Sequence, residues 1–580
     1  MTVRQHGNTL PSEIDEWLKA RRSDGEARQR AIDLLVAMVG IDSTPKPSPA
    51  DCAVADAQMF DIIEGFLAAC CPDIAMERLR IRPEIVQHPY FTRPYYTTEN
   101  IDDPAELVRN VYRNRANLFV RWPQPGAPVL ALNAHIDTVS PHIGPRIEGR
   151  TVWGRGACDD KGACLTMMLA LALLCEMATE LDVRPACELL LQFVPDEETG
   201  GNGSLSAALE KPKGNFDAMI VIEATGLKSY PANRGVVWYR TQLELAEPDA
   251  QPAGRDILVE AAAYVVGQLG RCGDQIKAES DHPLFPHRPV QTCHGVLGTY
   301  GQHPSRVNDY IPLRLSWSGD LEDALRACVV EAVADYCQHY DDKTRPREGQ
   351  PVLAAHTTWS AESPGTALLE VHGLAGHMGS VDKLDGAVTK AAWIVRKLVE
   401  NRRRLGGDWA TLTITLPERP APTDLVLEGG QGFVPTHELE DVAARMSQAV
   451  QEGVAAYART VGLPEGAVAG RTSFEKLHNA AYAARLDGPV LATIRQVGQQ
   501  MGVSSDEPIR GWDVSCDARI FACEFPEAEV ITFGPGQLAL AHSNEERIDV
   551  DEVMRAAEIL ARTALQFGNE SSRVGNDRES

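Results

Sequence analysis

The sequence predicts an α/β protein: a mostly parallel sheet with helices on its faces, interrupted by an inserted α+β segment. Three observations predict it. LFVRW (118–122), the run VLALNAHID, ACELLLQFVPDEE and DAMIVIEA are short, branched apolar runs of the kind that form buried strands. A long apolar helical run, from Ala163 to Leu181, separates the second of these from the third, as strand–helix–strand units require. Residues 233–475 then change in character, and helix and buried strand (AEVITFG) return after Ser473.

Taken in order, residues 28–40 and the run from Ala57 to Ala69 have helical apolar spacing. Within 80–115, HPYFTRPYY packs four aromatics and two prolines into nine residues. No regular element tolerates that, so the segment reads as a surface insertion, with a lid over the active site as the sharper alternative. The four buried runs follow. Inside 233–475 the coarse order strand, helix, two strands, helix occurs twice, once from VVWYRTQLEL and again from ALLEVHGLAG. Two tandem α+β units are therefore expected. This gives a sheet-bearing domain built from 1–232 and 476–570, a duplicated inserted domain at 233–475, and a disordered tail at 571–580 (SSRVGNDRES).

Composition narrows the function. At 580 residues the chain exceeds one ordinary core. Its formal net charge of −25 argues against a nucleic-acid partner, which needs a basic face. No stretch reads as a membrane span and the first residues lack the apolar core of a signal peptide. The thirteen cysteines are scattered without a C-x-x-C pair, which suits reduced thiols and a cytoplasmic location.

Five places carry chemistry. His135-Ile136-Asp137 ends a strand; GRGACDDKG holds Asp159 and Asp160; PDEETGG holds Glu197 and Glu198; MIVIEA leads to Glu223; GPGQLALAHSNEE holds His542. Any one alone is weak, since a buried histidine paired with a carboxylate or a solvated Glu-Glu is common. Together, imidazoles and carboxylates after buried strands or Gly-rich turns suit zinc, cobalt or manganese, because clustered like charges are costly unless a cation neutralises them.

The motifs ALNAHIDTV, WGRGACDDKGA, VPDEETGG, VIEA and GPGQLALAHSNEE resemble those of the co-catalytic zinc hydrolases that include aminoacylase, carboxypeptidase G, succinyl-diaminopimelate desuccinylase and several dipeptidases. The resemblance implies a phosphorylase/hydrolase-like catalytic domain with an inserted lid, two Zn2+ ions, and hydrolysis of an amide in a small molecule or short peptide. It implies His135 on one zinc and His542 on the other, Asp159 bridging, Glu198 and Glu223 completing one ion each, Asp137 orienting His135, and Glu197 as general base. It also implies an oxyanion donor at His377 in HGLAGHMGS, a carboxylate anchor at Arg314 in IPLRLSW and a substrate contact at Ser515 in GWDVSCDAR, where Trp512 and Cys516 depart from the family pattern. For His377 the alternative is a turn histidine, and for Arg314 an outward-facing strand arginine. The first inserted unit has no counterpart of His377, so the second is expected to act as the absent partner of a dimer, which favours a monomer over a homodimer. Glutamate at 223 favours an N-acyl amino acid deacylase or carboxypeptidase; the duplicated lid favours a dipeptidase. A non-catalytic metal-bound binding protein is the rival from another class, although neither Glu197 nor any implied ligand is missing.

Overall fold

The computed structural model describes residues 10–97, 101–246, 256–301, 303–304, 306–347, 351–417, 419, 423–474, 478–503 and 507–576. The chain forms two compact units, Met1–Arg234 with Tyr482–Ser580, and Gly235–Ala481. The second joint lies beyond the 475/476 expected from sequence because His478–Asn479 still pairs with Val236–Val237 of the inserted unit, whereas Tyr482–Ala483 pairs with Ala232–Asn233 of the catalytic unit. Residues 475–477 lie outside the described residues.

The catalytic unit is built on a six-stranded sheet in the order Ala75–Arg80, Ala116–Trp122, Glu188–Val194, Val129–His135, Ala218–Val221, Glu529–Thr532. The first two strands join antiparallel and the other four run parallel. Side chains alternate between faces, as a pleated strand demands. Leu118, Val120, Leu130, Leu132, Leu189 and Leu191 enter one core, and Phe119, Ala131 and Leu190 enter the other. Both faces are covered, which is why these strands read as unbroken apolar runs. The first core is closed by the helices Gly25–Val39, Pro49–Cys70, Lys161–Glu180, Pro489–Gln500 and Val550–Asn576, the second by Pro104–Val111, Asn202–Leu209 and Ala518–Glu524.

Two expectations are corrected here. Against the expectation of no membrane-length apolar stretch, the helix Lys161–Glu180 is long and apolar enough to cross a membrane, with a mean hydropathy of 1.8 over its best window. That window is 72% buried in the protein, so its apolarity is that of a core helix. The last helix runs to Asn576, so 571–576 continue it rather than forming a tail; 577–580 lie outside the described residues.

The inserted unit contains two β-α-β-β-α-β modules. In one, the strands Thr292–Leu297, Asp424–Phe433, Gly235–Leu245 and Val468–Ser473 lie side by side, that is second, third, first, fourth in chain order. In the other, Thr357–Ser363, Thr366–His372, Tyr310–Ser316 and Thr413–Thr415 repeat the same order. All these neighbours are antiparallel. The helices of the first module are Ile257–Glu279 and Leu439–Val461, and those of the second Glu322–Tyr340 and Ala387–Leu405. The modules are nested, not tandem: the second interrupts the first between its second and third strands. Linear order misassigned Tyr310–Ser316 and Asp424–Phe433 because strand partners are chosen by pairing across long separations, which periodicity does not reveal.

Candidate metal centre

His135 closes the strand Val129–His135, where the parallel sheet ends and ligand-bearing loops begin. Its imidazole is 2% exposed. Nε2 lies 3.2 Å from Asp159 Oδ1, and Asp159 Oδ2 lies 3.2 Å from His542 Nε2. His542 Nε2 is also 3.1 Å from the Glu198 carboxylate. Donor atoms of His135, Asp159, Asp160 and Glu223 all lie within 4.8 Å of one another, and so do those of Asp159, Glu198 and His542. Two donor clusters thus share Asp159. All five ligands implied by the motifs are brought together. Asp160, to which the motifs gave no role, joins the His135 cluster; its Oδ2 accepts the His135 N–H at 3.3 Å.

These residues fit a pair of cations. Burial pushes the carboxyls of Glu223, Asp160 and Glu197 well above the usual carboxylate range, with neighbouring carboxylates adding to it, and Glu198 is also raised by burial. Asp159 goes the other way: burial opposes its charge, but His135 and His542 on either side hold its carboxyl below the usual range. Asp160 Oδ1 is buried without a hydrogen-bond partner. So dense a carboxylate cluster at the end of a sheet cannot ionise fully without positive charge, and its oxygen and imidazole donors suit zinc, cobalt or manganese.

Three ties fix the loops. First, Asp137 accepts the backbone N–H groups of Glu197 and Glu198, at 3.1 Å each, through its two oxygens. The His135 Nδ1 lies 3.0 Å from the Asp137 carbonyl and 3.5 Å from its carboxylate. Asp137 thus contacts the imidazole, more closely through its carbonyl than through its carboxylate, and holds the Glu197-Glu198 loop to the His135 strand.

Second, Asp196, at φ +67°, is braced from behind. Its Oδ2 accepts Tyr96 Oη–H and Tyr112 Oη–H at 2.6 Å each, and its Oδ1 accepts Arg115 Nη2 at 2.7 Å. Arg115 in turn donates to Asp56 Oδ2 at 2.6 Å. Thr92 is buried and exchanges hydrogen bonds with Asn202. The aromatic segment is therefore not merely a surface insertion: Thr92 and Tyr96 bond to residues that follow and precede Glu197-Glu198. Gly200 and Gly201 permit this closeness, since a Cβ on Gly200 would sit 2.4 Å from Thr92 Cβ and one on Gly201 2.5 Å from Asp517 Oδ1.

Third, Glu546 Oε1 accepts the N–H groups of Gly156 (2.9 Å), Cys158 (3.2 Å) and Asp159 (3.2 Å). Its Oε2 pairs with Arg155 Nη1 at 2.6 Å. Arg155 also donates to the carbonyls of Pro141, Ser543 and His542. Both residues lay inside the quoted motifs, but bare sequence offered no chemistry for them.

Asp517 is a further residue the sequence left without a role. It is 1% exposed, and its charge is, after burial, the largest influence raising Glu197. Ser515, two residues before it, has a buried hydroxyl with no hydrogen-bond partner. The Cys516 thiol is pushed well up by burial and takes a hydrogen bond from Asn233, which suits a structural thiol, not a nucleophile.

The remaining two residues lie in the inserted unit. His377 pairs through its backbone with Arg306, and its side chain lies outside the described residues. Arg314 makes a bidentate pair with Glu362 at 2.7 and 2.9 Å on a partly exposed sheet face, the arrangement of an outward-facing strand arginine.

The family model described as peptidase family M20/M25/M40 matches residues 131–566. The chain belongs to this family. It is 32% identical over 165 residues to a putative [LysW]-lysine/[LysW]-ornithine hydrolase of Pyrobaculum aerophilum, a match covering 28% of this chain and 46% of that protein. It is 26% identical over 267 residues to a probable carboxypeptidase of Aspergillus terreus, covering 43% of this chain and 59% of that one. The matches thus span about half the length of these curated relatives. Among solved structures, human carnosine dipeptidase 1 superposes with a TM-score of 0.54 at 11% identity, covering 97% of this chain and 100% of that one. The di-peptidase Dug1p of Saccharomyces cerevisiae gives 0.54 at 12%, covering 96% and 98%. These two likenesses show a shared fold over nearly the whole length.

Proposed function

We propose that this M20 hydrolase cleaves an amide next to a free carboxylate, as an N-acyl amino acid deacylase or carboxypeptidase, with two zinc ions. The observation that carries the reading is the pair of donor clusters sharing Asp159, with Glu197 left outside both. His135, Asp159 and Glu223 would hold one ion, and Asp159, Glu198 and His542 the other. When bound, such a pair lowers the pKa of a water and polarises a carbonyl.

The protein's own part follows from position. Asp137 sets Glu197 beside the clusters through its backbone N–H. Burial and the charge of Asp517 raise the Glu197 carboxyl, which suits a group that takes the attacking water's proton and later gives it to the leaving nitrogen. The resemblance assigns His377 to the developing oxyanion. Glutamate at 223 and the likeness to a probable carboxypeptidase support the carboxylate-adjacent substrate. Because Arg314 is engaged by Glu362, Ser515 is the better-supported substrate contact in the described residues.

The dipeptidase reading is favoured by one observation, the two nested modules of identical strand order. The same duplication supports a monomer. Thirteen free thiols support a reducing compartment such as the cytoplasm. The test is amino-acid release by zinc-loaded protein from N-acyl amino acids, C-terminal amides and dipeptides, alongside Glu197→Ala. Turnover of acyl amino acids by the native chain alone supports the proposal. Turnover of dipeptides alone replaces it with the second reading, and silence on every amide returns the binding protein.

A further inference from the structure

We propose that the inserted unit carries a metal site of its own, in which Cys337, Asp342 and His356 bind a zinc-class ion. Cys337 lies in the last turn of the helix Glu322–Tyr340, Asp342 two residues beyond that helix, and His356 directly before the strand Thr357–Ser363. The Cys337 Sγ is 3.3 Å from His356 Nε2, and Asp342 Oδ1 is 3.0 Å from the same nitrogen. The three donor atoms all lie within 4.8 Å of one another. Zinc bonds of about 2.0–2.3 Å to nitrogen, oxygen and sulfur place tetrahedral ligands roughly 3.5 Å apart, so the trio is already at close to ligand spacing.

The surroundings are built as a metal site's are. A ligating histidine turns its second ring nitrogen to a carboxylate or carbonyl, which fixes the ring. Here the buried His356 Nδ1 has no hydrogen-bond partner but faces Asp385 Oδ2 at 3.7 Å. Asp385 is itself held by Tyr336 Oη–H at 2.5 Å and by the fully buried Lys390. Asp342 is fixed by the Thr344 N–H at 3.0 Å, the Thr344 hydroxyl at 2.6 Å and Arg345 Nε at 3.0 Å. The Asp342 and His356 side chains are 25% and 12% exposed, so an ion and a water as fourth ligand have access.

A thiol–imidazole nucleophile is the competing use of these groups. It would need His356 Nε2 free for the thiol, but Asp342 Oδ1 stands at that same nitrogen. A cation among the three donors removes that objection. Such an ion would cross-link the end of one helix to the start of the next strand and so fix the connection between them. Its role is structural, and it does not depend on which amide the catalytic unit cleaves.

Cobalt(II) separates this site from the catalytic centre, whose clusters contain only histidine and carboxylate donors. The full-length protein, stripped with chelator, is titrated with cobalt(II) and followed for thiolate-to-cobalt charge transfer in the near ultraviolet. The expected result is a band that saturates in the native chain and disappears in Cys337→Ser, with the metal content of the catalytic centre and the hydrolytic activity retained. Asp342→Asn, which leaves the thiol in place, should weaken the affinity read from that band by roughly tenfold or more. No band at saturating cobalt, or a band undiminished in Cys337→Ser, overturns the proposal. Should Cys337→Ser fail to fold, an unchanged affinity in both Asp342→Asn and His356→Gln overturns it equally.

Discussion

Arg155 and Glu546 form an ion pair of 2.6 Å in which both side chains are 1% exposed. One end of the pair collects the N–H groups of the loop ending at Asp159, and the other reaches the carbonyls around His542. The shared donor Asp159 and the donor His542 are thereby held from one point. Removing one member strands a buried charge, at about 3–5 kcal/mol. Arg155→Met is expected to lower stability by that order, read by urea unfolding. Glu546→Gln keeps an acceptor but loses the charge, and should weaken metal affinity by about 10–100-fold. Unchanged metal affinity in Glu546→Gln would show that the loop holds its shape without the pair.

Glu197 stands beside the donor clusters without belonging to either. Glu197→Gln should therefore retain both ions while kcat falls by about 10²–10⁴-fold, the range for a lost general acid–base group. Metal content by mass spectrometry and turnover on the best amide check the two halves separately. Loss of metal together with activity would make Glu197 a ligand instead.

The legible part of this protein was what short stretches specify alone. The alternation of Leu118, Phe119 and Val120 between two cores follows from strand geometry, and His135, Asp159, Glu198, Glu223 and His542 were readable because each closes a strand or turn within a compact motif. What could not be read was relational. Tyr96 and Asp196 are a hundred residues apart in sequence yet 2.6 Å apart in space, and no local pattern announces such a pair. The nesting of the inserted modules was hidden for the same reason: Asp424–Phe433 pairs with Thr292–Leu297 across an entire second module.

That Tyr96–Asp196 contact makes a prediction. Three donors converge on the Asp196 carboxylate, and a hydrogen bond to a charged group contributes about 1.5–3 kcal/mol. Tyr96→Phe should cost that order of stability and, because Asp196 precedes Glu197, lower kcat more than it changes KM. A variant with wild-type kcat and reduced Tm would confine the aromatic segment to packing.

Chelation should destabilise the catalytic unit. Stripping cations leaves Asp159, Asp160, Glu198 and Glu223 crowded and buried, whereas a ligand at about a hundred times its Kd adds roughly 2.7 kcal/mol per site. Thermal unfolding with and without chelator should show a lower Tm in the stripped protein, restored by zinc. A Tm indifferent to chelator would mean that the carboxylates share protons well enough to do without metal.

His294 gives the inserted unit its own response to acid. Its ring is 3% exposed and hydrogen-bonded at Nδ1 to Tyr239, and burial pushes its pKa down to about 3 from the usual 6.5. The unfolded chain therefore binds a proton between pH 6.5 and 3 that the folded unit refuses. Stability from this group is complete above pH 6.5 and is lost as the pH falls toward 3, on the order of 5 kcal/mol in all. His294→Gln keeps a polar partner for Tyr239 but cannot titrate. It should flatten the fall in unfolding free energy over that window by one proton's worth, measured by urea unfolding at stepped pH. A slope identical to the native protein's would mean that His294 is protonated in the folded state.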